Sequence, residues 1–291
     1  MKYQAGMDIR SGKYLGDYST DNPEWHRIRL NGISGTDAGT ILGLNPWESA
    51  YTLYHKKTGQ ISSDIEQNDA MRLGQILEDP LLQFFSEKHP DLTIFRVGTF
   101  CKSDEPWMIA NPDAIAFDEE GNLIIVEIKT ARKIWDSVPP HYTAQVLHYA
   151  DVFSADKAIV VAHHAGQYGE FEIDIDPYSL EAQRTATKAF YEQCMGEGVA
   201  PDWDGSQSTY ETARSLYPTI EDSSVELGPI GDALINAVEA AEGAEKVARA
   251  IKSEVLEMMQ ENKFGLYDGK VITVRQQRGE GKPYLTIRKD K

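Results

Sequence analysis

Cysteine is scarce, with only Cys101 and Cys194 in 291 residues. Two thiols are too few for a disulfide framework, a four-thiolate zinc site or a four-cysteine iron–sulfur cluster, so none of these is expected. Both are expected as buried, inert thiols. Long apolar runs are also missing: no stretch reaches the roughly 18 uninterrupted apolar residues of a membrane-crossing helix. The first residues, MKYQAGMDIRSGKY, lack an apolar core and a small-residue cleavage site, so a cytoplasmic protein without a membrane partner is expected. Basic charge is short, 29 Lys and Arg against 46 Asp and Glu, for a formal charge of −17. That deficit argues against a broad nucleic-acid-binding surface, because duplex binding draws largely on phosphate neutralisation. Any grip on DNA must be local or metal-assisted. No internal repeat or low-complexity tract occurs, which excludes a solenoid and a disordered activation segment.

The hydrophobic fraction, 41%, suffices for a substantial core, and the length suggests one main domain with an appendage. Residues 1 to 18 read as a loosely packed arm, and a helix is expected to begin near Ser19 to Asp21 and to carry Trp25 to Arg29. The small and capping residues Gly32 to Gly39 open a short helix ending at Gly43. From Met71 to Lys88, Leu73, Ile76, Leu77, Leu81, Phe84 and Phe85 share one helical face. Strands are expected at Thr93 to Phe100, Trp107 to Phe117 and Leu123 to Ile128, the last two joined in a hairpin by Asp118 to Asn122. A helix from His141 to Phe153, strands at Ala158 to Ala162 and Phe171 to Ile175, and a helix from Ser179 to Cys194 close an α/β unit. The resulting division is a core over 1–204, a polar linker over 205–228, and an extension over 229–291 consisting of a long helix and a terminal β-hairpin.

The chemistry concentrates in Asn111-Pro112-Asp113 and Val126-Glu127-Ile128-Lys129. Alternate residues of a strand project from one face, so Glu127 and Lys129 point together, and the hairpin can bring Asp113 beside them. Two carboxylates and a backbone carbonyl suit a hard divalent cation such as Mg²⁺, which assists phosphodiester hydrolysis by polarising the ester. Lys129 can orient an attacking water or offset transition-state charge. An isolated Glu-x-Lys is also met as a solvated surface pair, but a buried strand ending in that pair carries charges that require compensation.

Helical geometry sets Glu78 at the edge of the apolar stripe and turns Asp79 to solvent. Gly74, one turn earlier, costs about 1 kcal/mol relative to Ala, which a close approach by another group would explain. Glu78 is read as a third carboxylate or as an ordinary boundary residue. Gln145 shares its helix face with Tyr142, Val146, Tyr149 and Val152, so its amide points inward and needs partners, either at the site or in the backbone. Arg29 precedes a helix start rich in hydroxyls, where exposed N–H groups, Ser34 and Thr36 suit an anion or serve as plain caps.

These residues in this order resemble the YqaJ-like viral recombinase family and, more distantly, phage lambda exonuclease, both of the PD-(D/E)-x-K superfamily. The resemblance runs from Trp25 through Glu197. It rests on Trp25-His26-x-x-Arg29, Ile33 to Thr36, Gly74-x-x-x-Glu78, Asn111-Pro112-Asp113, Glu127-x-Lys129 and Tyr142-x-x-Gln145. It implies a restriction-endonuclease-like core, a mixed central sheet flanked by helices, and a Mg²⁺-dependent (or Mn²⁺-dependent) exonuclease that degrades duplex DNA ends 5′ to 3′. Asp113, Glu127 and the Ile128 carbonyl would hold the metal with Glu78 assisting. Lys129 would serve the attacking water, oriented by Gln145. Arg29 with Ser34 or Thr36 would receive a 5′-phosphate, with Asn111, which stands where the lambda enzyme has serine, and Tyr142 also on the DNA side. A RecT- or Bet-like annealing protein and a homo-oligomeric ring, a trimer, are the implied partners. Alternatives are a structure-specific endonuclease or junction resolvase on the same core, and a catalytically silent protein that binds DNA ends or acts as a scaffold. From Lys270 to Lys291 seven Lys or Arg stand against two acids, a local excess expected to meet DNA or the annealing partner, or else solvent.

Overall fold

Residues 7–18, 22–63 and 67–288 are described in a computed structural model. The order is β1 (Gly12–Gly16), α1 (Pro23–Asn31), β2 (Ile33–Ser34), α2 (Gly35–Ile41), α3 (Ala50–Lys57) and α4 (Asp69–Lys88). Then follow β3 (Thr93–Phe95), β4 (Thr99–Lys102), β5 (Met108–Ala110), β6 (Ala114–Phe117), β7 (Leu123–Ala131) and α5 (Pro140–Phe153). β8 (Lys157–His164), β9 (Gln167–Ile173), α6 (Pro177–Phe190), a π-helical turn Tyr191–Gly196 and α7 (Gln207–Leu216) complete the first unit, which ends at Ile220. The second unit holds α8 (Pro229–Met259), β10 (Phe264–Tyr267), β11 (Lys270–Gln276) and β12 (Tyr284–Ile287).

The apolar run of β7 is buried because it lies inside a five-stranded sheet of order β3-β6-β7-β8-β9. β7 runs antiparallel to β6 and parallel to β8. Its residues alternate between two cores. Leu123 and Ile125 pack with Val146, Val152 and Phe153 of α5, whereas Ile124, Val126 and Ile128 pack with Leu81, Leu82 and Phe85 of α4. A second sheet, β1-β4-β5-β2, lies beside it.

Several expectations give way here. The strands anticipated at 93–100 and 107–117 are each two short strands in different sheets, broken at Arg96 to Gly98 and at Asn111 to Asp113. Pro112 has no N–H to continue a ladder, which explains the second break. The supposed arm is a structural strand from Gly12: β1 pairs with β4, Ile9 is buried, and Arg10 bridges Asp156 at 2.6 Å. The expected helix start at Ser19 to Asp21 lies outside the described residues, and Asn22 caps α1 through the Glu24 N–H. On α4 only Leu81, Leu82 and Phe85 are buried, while Leu73, Ile76 and Phe84 of the anticipated stripe are exposed.

The supposed linker contains α7, capped by Ser206. It docks on α3 through hydroxyls: Thr52 Oγ1 meets Ser208 Oγ at 2.6 Å and Thr212 Oγ1 at 2.8 Å, and Thr209 donates to Ser49 Oγ at 2.8 Å. The terminal hairpin is a three-stranded antiparallel sheet, β10-β11-β12, and the long helix stops at Met259.

Helix α2 approaches α5 at glycines. A Cβ on Gly35 would lie 2.6 Å from a Tyr149 ring carbon and 2.9 Å from the Gln145 carbonyl. Gly35→Ala must therefore displace Tyr149 or the α5 backbone, an overpacking cost of about 1–3 kcal/mol. Urea unfolding should show that loss as a lower midpoint at unchanged slope; a wild-type midpoint would show the contact to be slack.

Candidate active site

The β6–β7 ladder ends at Ala114 opposite Val126, where the chain leaves for the other sheet. Beyond it, β7 continues to Ala131 paired with β8 alone. The Ile128 N–H, which another β6 residue would otherwise engage, donates to Asp113 Oδ2 at 2.7 Å. A strand residue's N–H and C=O point to the same side, so the Ile128 carbonyl faces the same open edge as Asp113. The sequence thus builds a carboxylate and a free carbonyl into a gap in a sheet.

Glu127 and Lys129 project toward α5. Glu127 is 3% exposed, and its Oε1 accepts from Lys129 Nζ at 2.6 Å and from Gln145 Nε2 at 2.7 Å. Its Oε2 lies 3.4 Å from the Asp113 N–H. Gln145 Nε2 also reaches the Tyr149 hydroxyl at 3.0 Å, and Lys129 Nζ sits 4.9 Å from the Tyr142 ring centroid. Glu78 comes from α4. Gly74 there permits the close approach its position suggests, since a Cβ would lie 3.2 Å from Thr130 Oγ1, next to Lys129. Asp79, 84% exposed, turns away and pairs with Arg96.

The electrostatics are those of crowded acids. Burial pushes Glu78 up to about 7, and the Asp113 charge adds to the rise. Burial likewise raises Glu127 to about 7, again with Asp113 contributing. Asp113 is raised by burial, although Lys129 and the Ile128 N–H oppose the shift. Burial disfavours the Lys129 ammonium, but Glu127 and Asp113 outweigh it and hold that group charged. Tyr149 is pushed well above the ordinary phenol range by burial and by Glu127.

The anticipated anion pocket lies against the same helix. Arg29 Nη2 donates to Ser34 Oγ at 3.1 Å, and its guanidinium stacks 4.7 Å from the Trp25 ring centroid. Ser34 is a cap, as its type permits: its N–H and hydroxyl both donate to Asp37 Oδ2, at 2.7 and 2.8 Å. Lys57 pairs with that carboxylate at 2.9 Å. Burial would raise Asp37, but Lys57 and Arg29 bring it below the usual carboxylate range. Thr36 is exposed on the first turn of α2 and takes part through its carbonyl, which accepts from Thr40 at 3.4 Å. Asn111 departs from expectation: its amide donates to Thr99 Oγ1 at 2.6 Å, leaving its buried carbonyl oxygen unpartnered among the described residues. That donor is spent within the protein and not held toward a phosphate.

Sequence reasoning singled out Glu78, Asp113, Glu127, Lys129, Tyr142 and Gln145, and the fold gathers these. It missed Tyr149 as a partner of Gln145, though their spacing of four on one helix was a usable signal. It also missed the Asp37–Lys57 pair, whose members are 20 residues apart with no local pattern. Both cysteines are buried, and burial raises both thiols.

Residues 24–157 match the model of the YqaJ-like viral recombinase domain. An uncharacterized protein YqaJ of Bacillus subtilis (strain 168) is 29% identical over 209 residues, covering 69% of this chain. The chain spans 65% of that relative's length. A crystal structure of LHK-Exo in complex with dAMP aligns with a TM-score of 0.50 at 17% identity, over 60% of this chain and 94% of that one. Another structure of this alkaline exonuclease, from Laribacter hongkongensis, gives a TM-score of 0.49 at 16% identity, over 68% of this chain and all of that one. The alignment with the dAMP complex is a likeness of fold. The match to the YqaJ-like viral recombinase domain spans the segment that supplies Arg29, Glu78, Asp113, Glu127, Lys129 and Gln145.

Proposed function

We propose that the chain is a divalent-metal-dependent nuclease that digests duplex DNA from its ends, 5′ to 3′. The observation that carries this reading is the convergence of Asp113, Glu127, Lys129 and Gln145 at a gap in the central sheet, with Glu78 facing Asp113. Three crowded acids share the Lys129 ammonium, Arg96 acts on Glu78 and Asp113 as well, and all three are raised nonetheless, so the site is short of positive charge. Among the described residues no three His, Cys, Asp or Glu side chains form a ready cage. Mg²⁺ does not require one: it commonly binds one or two carboxylates and keeps several waters. Asp113, Glu127 and the Ile128 carbonyl fit that donor set, Glu78 assists, and Mn²⁺ suits the same ligands. The chemistry such an ion supplies is Lewis-acid polarisation of the phosphodiester and compensation of transition-state charge.

The protein groups do the rest. Gln145 and Lys129 fix the orientation of Glu127. The Lys129 ammonium stands where it can orient a water or meet negative charge on the phosphate. Arg29, with donors remaining beyond its bond to Ser34, is the group for a 5′-phosphate, and the exposed Thr36 hydroxyl is the available helper because Ser34 is committed to Asp37. A 3′-ended strand would remain, a substrate for a RecT- or Bet-like annealing protein, with a trimeric ring as the assembly in the host cytoplasm.

Asp113→Ala and Lys129→Ala should each lower Mg²⁺-dependent digestion of an end-labelled linear duplex by about 10²–10³-fold or more while circular dichroism stays unchanged. Wild-type rates would refute the assigned roles, and cleavage of covalently closed circles would point to an endonuclease. Arg29→Ala should slow digestion of 5′-phosphorylated ends about 10- to 100-fold, the worth of a charged hydrogen bond, and spare 5′-hydroxyl ends. Equal losses on both ends would remove the pocket.

The raised acids also set a pH dependence. Glu78 and Glu127 have folded values near 7 against ordinary values of 4.5. In metal-free protein their stabilising contribution is therefore present below about 4.5 and lost as pH rises through about 7. Bound Mg²⁺ needs the ionised forms, so it should raise the melting temperature more near pH 8 than near pH 5.5 and release protons on binding. Calorimetry in buffers of different ionisation enthalpy reads that release; equal thermal shifts at both pH values would place the ion elsewhere.

A further inference from the structure

A second cation, Arg96, borders the carboxylates, and strand register sets its place. β3 pairs with β6 so that Thr93 faces Phe117, Ile94 faces Ala116 and Phe95 faces Ile115. Continuing that register puts Arg96 level with Ala114, one residue from Asp113. Ile94, Ala114 and Ala116 belong to the core under α4, and Phe95 and Ile115 to the core under α5, so alternation sends Arg96 to the α4 side. There its guanidinium pairs with Asp79, the neighbour of Glu78 on α4. It is close enough to oppose the rise of both Glu78 and Asp113, and it acts on Glu78 more strongly than Lys129 does. Two cations thus flank the gap from opposite faces of one sheet. Lys129 stands on the α5 side, and Arg29 acts on Tyr149 of α5 from that side as well.

The base of this side chain is fixed and its tip is exchangeable. Arg96 continues β3, and two residues on Gly98 packs so closely on the Gly16 carbonyl that no Cβ would fit. Its partner Asp79, by contrast, is 84% exposed, and a pair with so exposed a member is weak. A guanidinium presents a planar fork that fits two phosphate oxygens, so trading the Asp79 carboxylate for a phosphate keeps its bonding intact. In a chain of net charge −17, a grip on DNA has to come from local cations of this kind.

We propose that Arg96 binds a backbone phosphate of the strand being digested, on the 3′ side of the scissile bond, with Asp79 competing for the guanidinium. The proposal rests on the nuclease reading: with the 5′ end at Arg29 and the scissile phosphate at the gap, the strand runs on toward the α4 side. Steady-state digestion of an end-labelled duplex in Mg²⁺ tests it. Arg96→Ala should raise KM about 10- to 100-fold, the worth of a charged hydrogen bond, with kcat within about threefold of wild type. Unlike the Arg29→Ala loss, this one should be equal on 5′-phosphorylated and 5′-hydroxyl ends. Arg96→Lys, which keeps the charge without the fork, should recover part of it. Asp79→Asn should lower KM about 2- to 5-fold, and that gain should vanish when combined with Arg96→Ala. A methylphosphonate at the second linkage from the 5′ end removes the same charge from the DNA, and on that substrate Arg96→Ala should add no further loss. A wild-type KM for Arg96→Ala would overturn the assignment. So would a rise in KM shared by Arg96→Ala and Asp79→Asn, which marks a structural pair, or a fall in kcat alone, which marks a group that serves the charge of Glu78 and not the DNA. If wild type digests no duplex, the nuclease reading falls and takes this assignment with it; if wild type digests and Arg96→Ala matches it, the assignment alone falls.

Discussion

The structure turns on a side chain that takes the place of a strand. β6 stops pairing with β7 at Ala114, and the next donor on that edge, the Ile128 N–H, is met by the Asp113 carboxylate. A buried backbone donor left unpaired costs free energy comparable to a lost hydrogen bond, so the carboxylate is fixed by a requirement of the sheet itself. The same substitution leaves the Ile128 carbonyl facing the gap and sends Glu127 and Lys129 to the α5 side. The geometry of the candidate site and that of the sheet are one constraint, and neither can relax alone.

The protein treats its buried acids in two ways. Asp37 is matched by Lys57 and Arg29, and Asp151 by Lys102 at 3.0 Å and Arg184 at 2.6 Å. Burial works against both acids, yet their cationic partners bring them below the ordinary range. Glu78, Asp113 and Glu127 share Lys129, with Arg96 acting on the first two, and are raised nonetheless. Unmatched buried acids are what a cation site needs and what a purely structural ion pair avoids. The contrast within one chain separates the candidate site from the structural pairs more sharply than burial does.

The sequence made β7, its hairpin with β6, α5, β8 and α6 legible because each carries an apolar pattern of the right period. It also placed Gly74 at a close approach, which Thr130 makes. The sheet switches were illegible because periodicity reports which residues are buried and not which sheet buries them; only Pro112 marked a break. α7 was hidden for another reason. Its inward side chains are Thr209 and Thr212, paired with hydroxyls of α3, so a buried helix face reads as a polar linker. The exposed apolar residues Leu73 and Ile76 of α4 mislead in the opposite sense, since a helical stripe need not be backed by a sheet along its whole length.

Two successive chain segments, 93–102 and 108–117, each pass from one sheet to the other, and the second crossing carries Asp113 at its end. Prising the carboxylate gap apart would mean shearing both sheets against each other, so no local hinge can serve as a door. Adjustment at the gap is left to rotamers of long side chains such as Lys129, Arg29 and Glu78.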